Sequence, residues 1–243
     1  MNQNSYDDPA FFAEYAQLPR SVAGLAAAGE WPAFRDALPA LRGKRVLDVG
    51  CGYGWHCRYA AEQGATTVVG IDPSARMIEK ARSMTTADSI RFIQTPVEDF
   101  ALPPELFDVV LSSLAMHYVR DLAAVFATIA ALLVPGGVFC YTAEHPIFTA
   151  LDGQNWHCGP DGTKEHWPVD RYFDEGERHT QFLGSEVTKY HRTVAGHFQA
   201  LRAAGFAVDF LAEPAPSPEM VRQMGWEDEL RRPMMLLLRA VKP

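Results

Sequence analysis

Arg45-Val46-Leu47-Asp48-Val49-Gly50-Cys51-Gly52-Tyr53-Gly54 is the stretch that decides how this chain is read. A short apolar strand runs into glycines spaced by single residues, and a helix is expected from there to about Gln63. Small residues let a ligand approach the backbone, and a helix start offers unpaired N–H groups. Working outward, Thr66-Thr67-Val68-Val69-Gly70-Ile71 is continuous and β-branched, as expected of a strand buried on both faces. It ends in Asp72, an acid placed where ribose hydroxyls are bound in nucleotide-type sites. Ser74 is set to cap a helix reaching about Ser83. Residues 89–94 and 107–113 read as further strands. Asp121 begins a helix that carries Leu122, Val125, Phe126, Ile129, Leu132 and Leu133 on one face. Pro135-Gly136-Gly137 then turns the chain into a strand over 138–142. Such alternation specifies a parallel sheet with helices on both faces.

Upstream, residues 1–42 read as short helical pieces broken by Pro9, Pro19, Gly24, Gly29, Pro32 and Pro39. Downstream, residues 145–192 lose the strand–helix rhythm and hold five of the eight histidines. Order returns with a helix over 194–204 and a strand over 206–211. A proline-rich segment, a short helix and a last strand over 234–240 complete the chain. The expected organisation is a single domain, 1–243. It comprises a helical N-terminal lid (1–42), a cofactor-binding core (44–143), a substrate-covering insertion (145–192) and a C-terminal helix–strand part (193–243).

The 243 residues carry 22 Lys and Arg against 30 Asp and Glu, a net charge of −8. That excess argues against a non-specific grip on nucleic acid. No apolar run approaches the ~18 residues of a membrane span, and the N-terminus lacks the order of a signal peptide. A cytoplasmic setting is expected. Cys51, Cys57, Cys140 and Cys158 suit free thiols rather than a disulfide framework, and no metal site is expected.

Gly50-Cys51-Gly52-Tyr53-Gly54 departs from the G-x-G-x-x-G of dinucleotide sites, because the third glycine comes early and position 55 is Trp. The motif set instead resembles class I S-adenosylmethionine-dependent methyltransferases. Residues 46–54 and Gly70-Ile71-Asp72 look like the first two motifs of that family. The run Phe107 to His117 and Leu133-Val134-Pro135-Gly136-Gly137 look like the later ones. Four motifs in order place the chain near the type 11 methyltransferases, in a bacterial subgroup. The resemblance implies an α/β fold: a Rossmann-like, mostly parallel seven-stranded sheet with helices on both faces. A helical N-terminal extension and a large insertion after the fifth strand are added to it.

The resemblance also implies a cofactor site for S-adenosyl-L-methionine, released as S-adenosyl-L-homocysteine. Asp48 would lie near the methionine ammonium, with Gly50, Gly52 and Gly54 lining the sugar and methionine. Asp72 would bind the ribose hydroxyls; Pro73, Met77, Val97 and Glu98 would surround the adenine; Ser112 would offer its carbonyl to the ammonium. From the lid, Tyr6, Tyr15 or Arg20 would reach the cofactor carboxylate.

Holding a nucleophile in line with the methyl carbon is the enzyme's main task, and a hydroxyl or protonated amine also needs a base. His145 and His191 are the expected catalytic bases, since His145 follows a strand end at the rim where such sheets bind ligands. His117, Trp156, Trp167, Tyr172, Arg178, Tyr190 and Arg192 are the expected substrate-binding residues, the aromatics with Phe173 forming a roof. A small-molecule acceptor fits best, methylated on O or N, and a homodimer is left open. Leu102-Pro103-Pro104-Glu105 lacks the motif of nucleobase amino methyltransferases. The competing readings are an NAD(P)-dependent oxidoreductase and a non-catalytic S-adenosylmethionine-binding protein.

Overall fold

The computed structural model describes residues 5–101 and 105–243. Residues 1–4 of the expected lid, and Leu102, Pro103 and Pro104 of the segment compared with the nucleobase motif, lie outside them. The strands are β1 (Arg45–Val49), β2 (Thr67–Asp72), β3 (Ile90–Gln94), β4 (Phe107–Ser113), β5 (Leu133–Glu144), β6 (His157–Cys158), β7 (Lys164–His166), β8 (Gly176–Phe182), β9 (Ser185–His191), β10 (Ala207–Ala212) and β11 (Met235–Val241). The α-helices are α1 (Pro9–Tyr15), α2 (Pro19–Ala23), α3 (Trp31–Ala37), α4 (Trp55–Glu62), α5 (Ala75–Ser83), α6 (Leu122–Leu132), α7 (Pro146–Thr149), α8 (Val194–Ala203) and α9 (Pro218–Met224).

Seven strands form one sheet in the order β10-β11-β5-β4-β1-β2-β3. The pairs from β5 to β3 are parallel, and β11 runs antiparallel to both β5 and β10. The expected Rossmann-like sheet with an insertion after the fifth strand is the observed fold. Two cores cover it. Val46, Val68, Val109 and Leu111 face α3, α4 and α5 through Phe34, Ala60 and Ile78. Leu47, Val110, Phe139 and Leu238 face α6 and α8 through Phe126, Ile129 and Leu201. Ser74 caps α5 by accepting from the Met77 N–H (3.2 Å), and Asp121 caps α6 at the Ala124 N–H (3.0 Å).

Two local readings are corrected. Pro9, Pro19 and Pro32 start helices rather than break them, because proline at the first turn gives up an N–H that has no partner anyway. Pro135-Gly136-Gly137 is taken into β5, which begins at Leu133, with a register shift opposite Phe107 and Val109.

The insertion forms α7 and two antiparallel hairpins, β6–β7 and β8–β9, outside the main sheet. Arg232, just before β11, holds the first hairpin down. Its guanidinium lies 4.3 Å from the Trp167 ring, 5.0 Å from Phe148 and 5.4 Å from Trp156.

Candidate active site

The C-terminal ends of β1, β2, β4 and β5 open onto a cavity of about 1300 Å³. One bound small molecule usually occupies ~300–1,000 Å³, so the space suits two ligands side by side. At one end it is lined by Gly50, Gly52, Asp72, Pro73, Met77, Val97 and Glu98, with Tyr15 and Arg20 above. At the other end it is lined by His117, Tyr118, Glu144, Phe182, Thr188, Tyr190 and Glu213.

At the first end, the glycines have distinct jobs. Gly50 (φ +72°) and Gly54 (φ +73°) are needed by the protein itself. A Cβ on Gly50 would meet Ala115 Cβ at 2.5 Å, and one on Gly54 would meet the Phe92 ring at 2.6 Å. Gly52 (φ +50°) has nothing within 4 Å of such a Cβ, so its backbone opens onto the cavity. Asp72 ties this loop to the end of β2: its Oδ2 accepts the Gly52 N–H (3.0 Å) and its Oδ1 accepts the Ser74 N–H (2.9 Å). Burial pushes the Asp72 carboxyl up to about 6, and those two hydrogen bonds offset only part of the rise.

Beneath the loop, Asp48 is fully buried and burial pushes its carboxyl up to about 7. The Cys57 thiol donates to its Oδ2 (3.3 Å), while Oδ1 has no hydrogen-bond partner among the described residues. Ser112 Oγ donates to the Val49 carbonyl (2.7 Å) and pins β4 to β1, leaving Ser113 at the cavity wall. The open loop, the ribose-type acid and an unsatisfied buried carboxylate suit a nucleoside that carries a cationic group. Asp48, Gly54 and Ser112 shape this end from behind rather than lining it. Arg20 is paired with Glu30 at 2.9 Å.

The histidines differ from expectation. His191 is fully buried: its Nε2 lies 2.9 Å from the Tyr172 carbonyl and its Nδ1 2.8 Å from Thr149 Oγ1. A carbonyl only accepts, so Nε2 carries the proton and Nδ1 takes the threonine hydroxyl proton, leaving no lone pair to act as base. His145 caps α7, accepting the Ile147 N–H at Nδ1 (3.1 Å), and its Nε2 lies 2.8 Å from Glu213 Oε1. Neither lines the cavity. The assignment of His145 and His191 as bases is therefore corrected to support of the α7 corner.

Most of the expected roof is corrected too. Trp156 and Trp167 belong to the Arg232 cluster, the Tyr172 hydroxyl accepts from the Val194 N–H (3.4 Å), and Phe173 is 90% exposed. Arg178 is buried and donates to the carbonyls of Ala150 (3.1 Å) and Asp174 (2.6 Å). Arg192 donates to the Val119 (2.8 Å) and Arg120 carbonyls. None of these five, Trp156, Trp167, Tyr172, Arg178 and Arg192, lines the cavity; Trp167 Nε1–H donates to the Ile147 carbonyl (3.1 Å), and it and Arg178 serve carbonyls of the insertion itself. Of the seven, His117 and Tyr190 line the cavity.

Glu144 and Tyr118, to which the sequence reading gave no role, join His117, Tyr6 and Tyr15 in the wall. Glu144, the last residue of β5, is held by Lys189 of β9 (Oε1, 2.6 Å) and by the Gln154 Nε2–H (Oε2, 3.2 Å). The nearby histidine and lysine hold its carboxyl below the usual range despite burial. His117 accepts the Glu144 N–H at Nδ1 (3.3 Å), and burial lowers its pKa to about 4, so it is neutral near pH 7. The roof is a tyrosine cluster: Tyr6 and Tyr118 hydroxyls meet at 3.1 Å, and Tyr15 packs on Tyr6 and Tyr53. Glu144 was legible only as a strand-end acid beside His145. Lys189, forty-five residues on, gives no local signal that it is its partner.

Comparison with known proteins supplies the family. A methyltransferase-domain family of type 11 matches residues 47–141. A crystal structure of an S-adenosylmethionine-dependent methyltransferase from Mesorhizobium loti is 41% identical, with a TM-score of 0.83. The match covers 90% of this chain and 100% of that one. A Listeria monocytogenes structure assigned to the same class is 47% identical, with a TM-score of 0.82 over 89% of this chain and 99% of that one. The malonyl-[acyl-carrier protein] O-methyltransferase of Enterobacter lignolyticus is 38% identical over 45% of this chain, which spans only 43% of that enzyme. The chain belongs to the S-adenosylmethionine-dependent methyltransferase family. It is thus an enzyme whose cofactor is S-adenosylmethionine, and the nicotinamide and non-catalytic readings fall. Among the described residues, no helix is long and apolar enough to cross a membrane.

Proposed function

We propose that the chain methylates a small-molecule acceptor on oxygen or nitrogen by in-line displacement, within one cavity shared by cofactor and acceptor. The observation that carries this reading is the continuity of the cavity from Gly52 and Asp72 to Glu144 and the β8–β9 hairpin. The cofactor supplies an electrophilic methyl group on a positively charged sulfur. Asp72 would hold the ribose hydroxyls, with Gly50 and Gly52 against the sugar and methionine. Pro73, Met77, Val97 and Glu98 would flank the adenine. Asp48 and the Ser112 strand would support the ammonium end, and Tyr15 and Arg20 would close over the carboxylate. The tyrosine cluster and Phe182 would exclude water, and confinement of the two reactants can supply ~7–11 kcal/mol of the barrier. In this reading the insertion contributes the acceptor wall through β8–β9 alone, and β6–β7 serves as its anchor.

The test incubates the enzyme with S-adenosylmethionine labelled on the methyl carbon and a bacterial metabolite extract. Label is expected in a new low-molecular-mass product. Label only in added protein or nucleic acid would contradict the small-molecule assignment.

A further inference from the structure

The acceptor end has an unusual balance of charge. Each guanidinium that lines the cavity already has its own carboxylate: Arg20 with Glu30, Arg231 with Asp228, Arg232 with Glu229. Lys189 is 2% exposed and spends its donors on Glu144 Oε1 (2.6 Å) and Gln154 Oε1 (3.1 Å). Against Lys189, Glu144, Glu177, Glu186 and Glu213 all line this end. Free imidazole lone pairs are scarce here. The only lone pair of neutral His117 takes the Glu144 N–H, and His179 is bracketed by Glu177 (3.2 Å) and Glu186 (3.6 Å). Such a wall is well built to sit beside positive charge.

We propose that Glu144 is a catalytic carboxylate, and that the acceptor is an amine whose N–H it receives as positive charge moves onto nitrogen. The proposal deepens the small-molecule reading above and rests on it. For an amine that enters the cavity unprotonated, having left its proton to solvent, the transfer step itself needs no base. The neutral amine's lone pair forms the new N–C bond while the C–S bond breaks with its electron pair left on sulfur. One unit of positive charge passes from sulfur to nitrogen, and no proton is transferred in that step. The product leaves as an ammonium ion, whose proton exchanges with solvent after release. Glu144 is suited to this because two donors fix its rotamer: Lys189 grips Oε1, Gln154 grips Oε2, and Thr180 Oγ1 in turn donates to Gln154 Oε1 (3.2 Å). Each oxygen keeps a lone pair for the cavity. A buried Lys–Glu pair costs desolvation that apolar residues would avoid, and here it fixes an ionised carboxylate on the cavity wall at the end of β5. Lys189 and Gln154 are positioning residues.

Sinefungin tests the charge directly, because it carries a cationic amine where the cofactor carries its methyl group. Calorimetry on the wild-type protein and Glu144→Gln compares sinefungin with S-adenosylhomocysteine, which has no group at that place. The substitution should weaken sinefungin roughly tenfold or more, as expected for loss of a nearby charge at intermediate dielectric, and leave S-adenosylhomocysteine unchanged. The double variant Glu144→Gln, Lys189→Met removes the unpaired lysine that the single change leaves, and should show the same selective loss. Equal changes for both ligands, or none, overturn the role of Glu144. In the metabolite extract, the labelled product should be retained on a cation exchanger at neutral pH. Label in an acidic or neutral product overturns the amine assignment. If the wild-type protein binds neither ligand, or labels no small molecule, the reading beneath the proposal fails instead.

Discussion

In the cofactor half, strand ends aim polar groups outward, whereas in the insertion the polar groups turn inward. Asp72 ends β2, touches two backbone N–H groups and still lines the cavity. His191 ends β9 two hydrogen bonds deep, and Arg178 lies buried among carbonyls of its own segment. A parallel sheet satisfies its backbone through its ladder, so side chains at its rim are free for a ligand. A loop-rich excursion has no such ladder, and its histidines and arginines are used to replace one. Residue chemistry alone therefore does not distinguish a base from a brace.

The sharpest way to break this comparison is Gly52→Val. A side chain there would occupy open cavity rather than strike the protein. Affinity for S-adenosylhomocysteine should fall by more than ~100-fold, while strain at positive φ costs only ~1–2 kcal/mol of stability. Wild-type affinity in the folded variant would refute the loop's role. Gly50→Val should act oppositely, unfolding the protein through its 2.5 Å clash with Ala115; a cooperative melt at the wild-type temperature would contradict that.

In the insertion the expected losses are in stability instead. Arg178→Ala should cost about 2–4 kcal/mol in chemical denaturation, because several buried carbonyls lose their donor. His191→Ala should cost about 1–3 kcal/mol by leaving Thr149 and the Tyr172 carbonyl unpartnered. Titration of both variants with S-adenosylhomocysteine should give the wild-type affinity; a main defect there would erase the distinction between the halves.

The cofactor half was legible because its chemistry is local. Residues 45–54 carry strand, turn and ligand-facing glycine in ten positions, and Asp72 follows from the next strand's end. The parallel sheet, the caps Ser74 and Asp121 and the existence of β11 follow from periodicity and turn chemistry, whereas the antiparallel direction of β11 had no signal in the sequence. The acceptor half was not legible because its contacts are distant. Glu144 meets Lys189 and Gln154, and Arg232 meets Trp167 and Phe148, across spacings no local pattern encodes. His145 was placed at the right rim by sequence, yet its ring turns toward Ile147 and Glu213.

Acid should reveal the smaller electrostatic difference. Burial lowers His56 and His197 to about 3 and His117 to about 4, so their protonation opposes folding as pH falls below their unfolded value near ~6.5. Asp48 and Asp72, raised to about 7 and 6, act the other way: they favour the fold when protonated, and that contribution is lost as pH rises through those values. Between about pH 4.5 and 6, three histidines outweigh two aspartates. From these five groups the unfolded chain then binds about one proton more, and His145 and His191, lowered by burial, add to it, so stability should fall by at least about 1.4 kcal/mol per unit of acidification. Denaturation curves flat across that window would contradict this balance.

The account rests most directly on Asp72 as the ligand-facing acid of the cofactor half. Calorimetric titration of the wild-type protein with S-adenosylhomocysteine should give saturable, one-to-one binding. Asp72→Ala, still folded by its thermal melt, should bind about 1–3 kcal/mol more weakly, as expected for lost charge-assisted hydrogen bonds. The same affinity in both proteins, or no binding by the wild type, would contradict it.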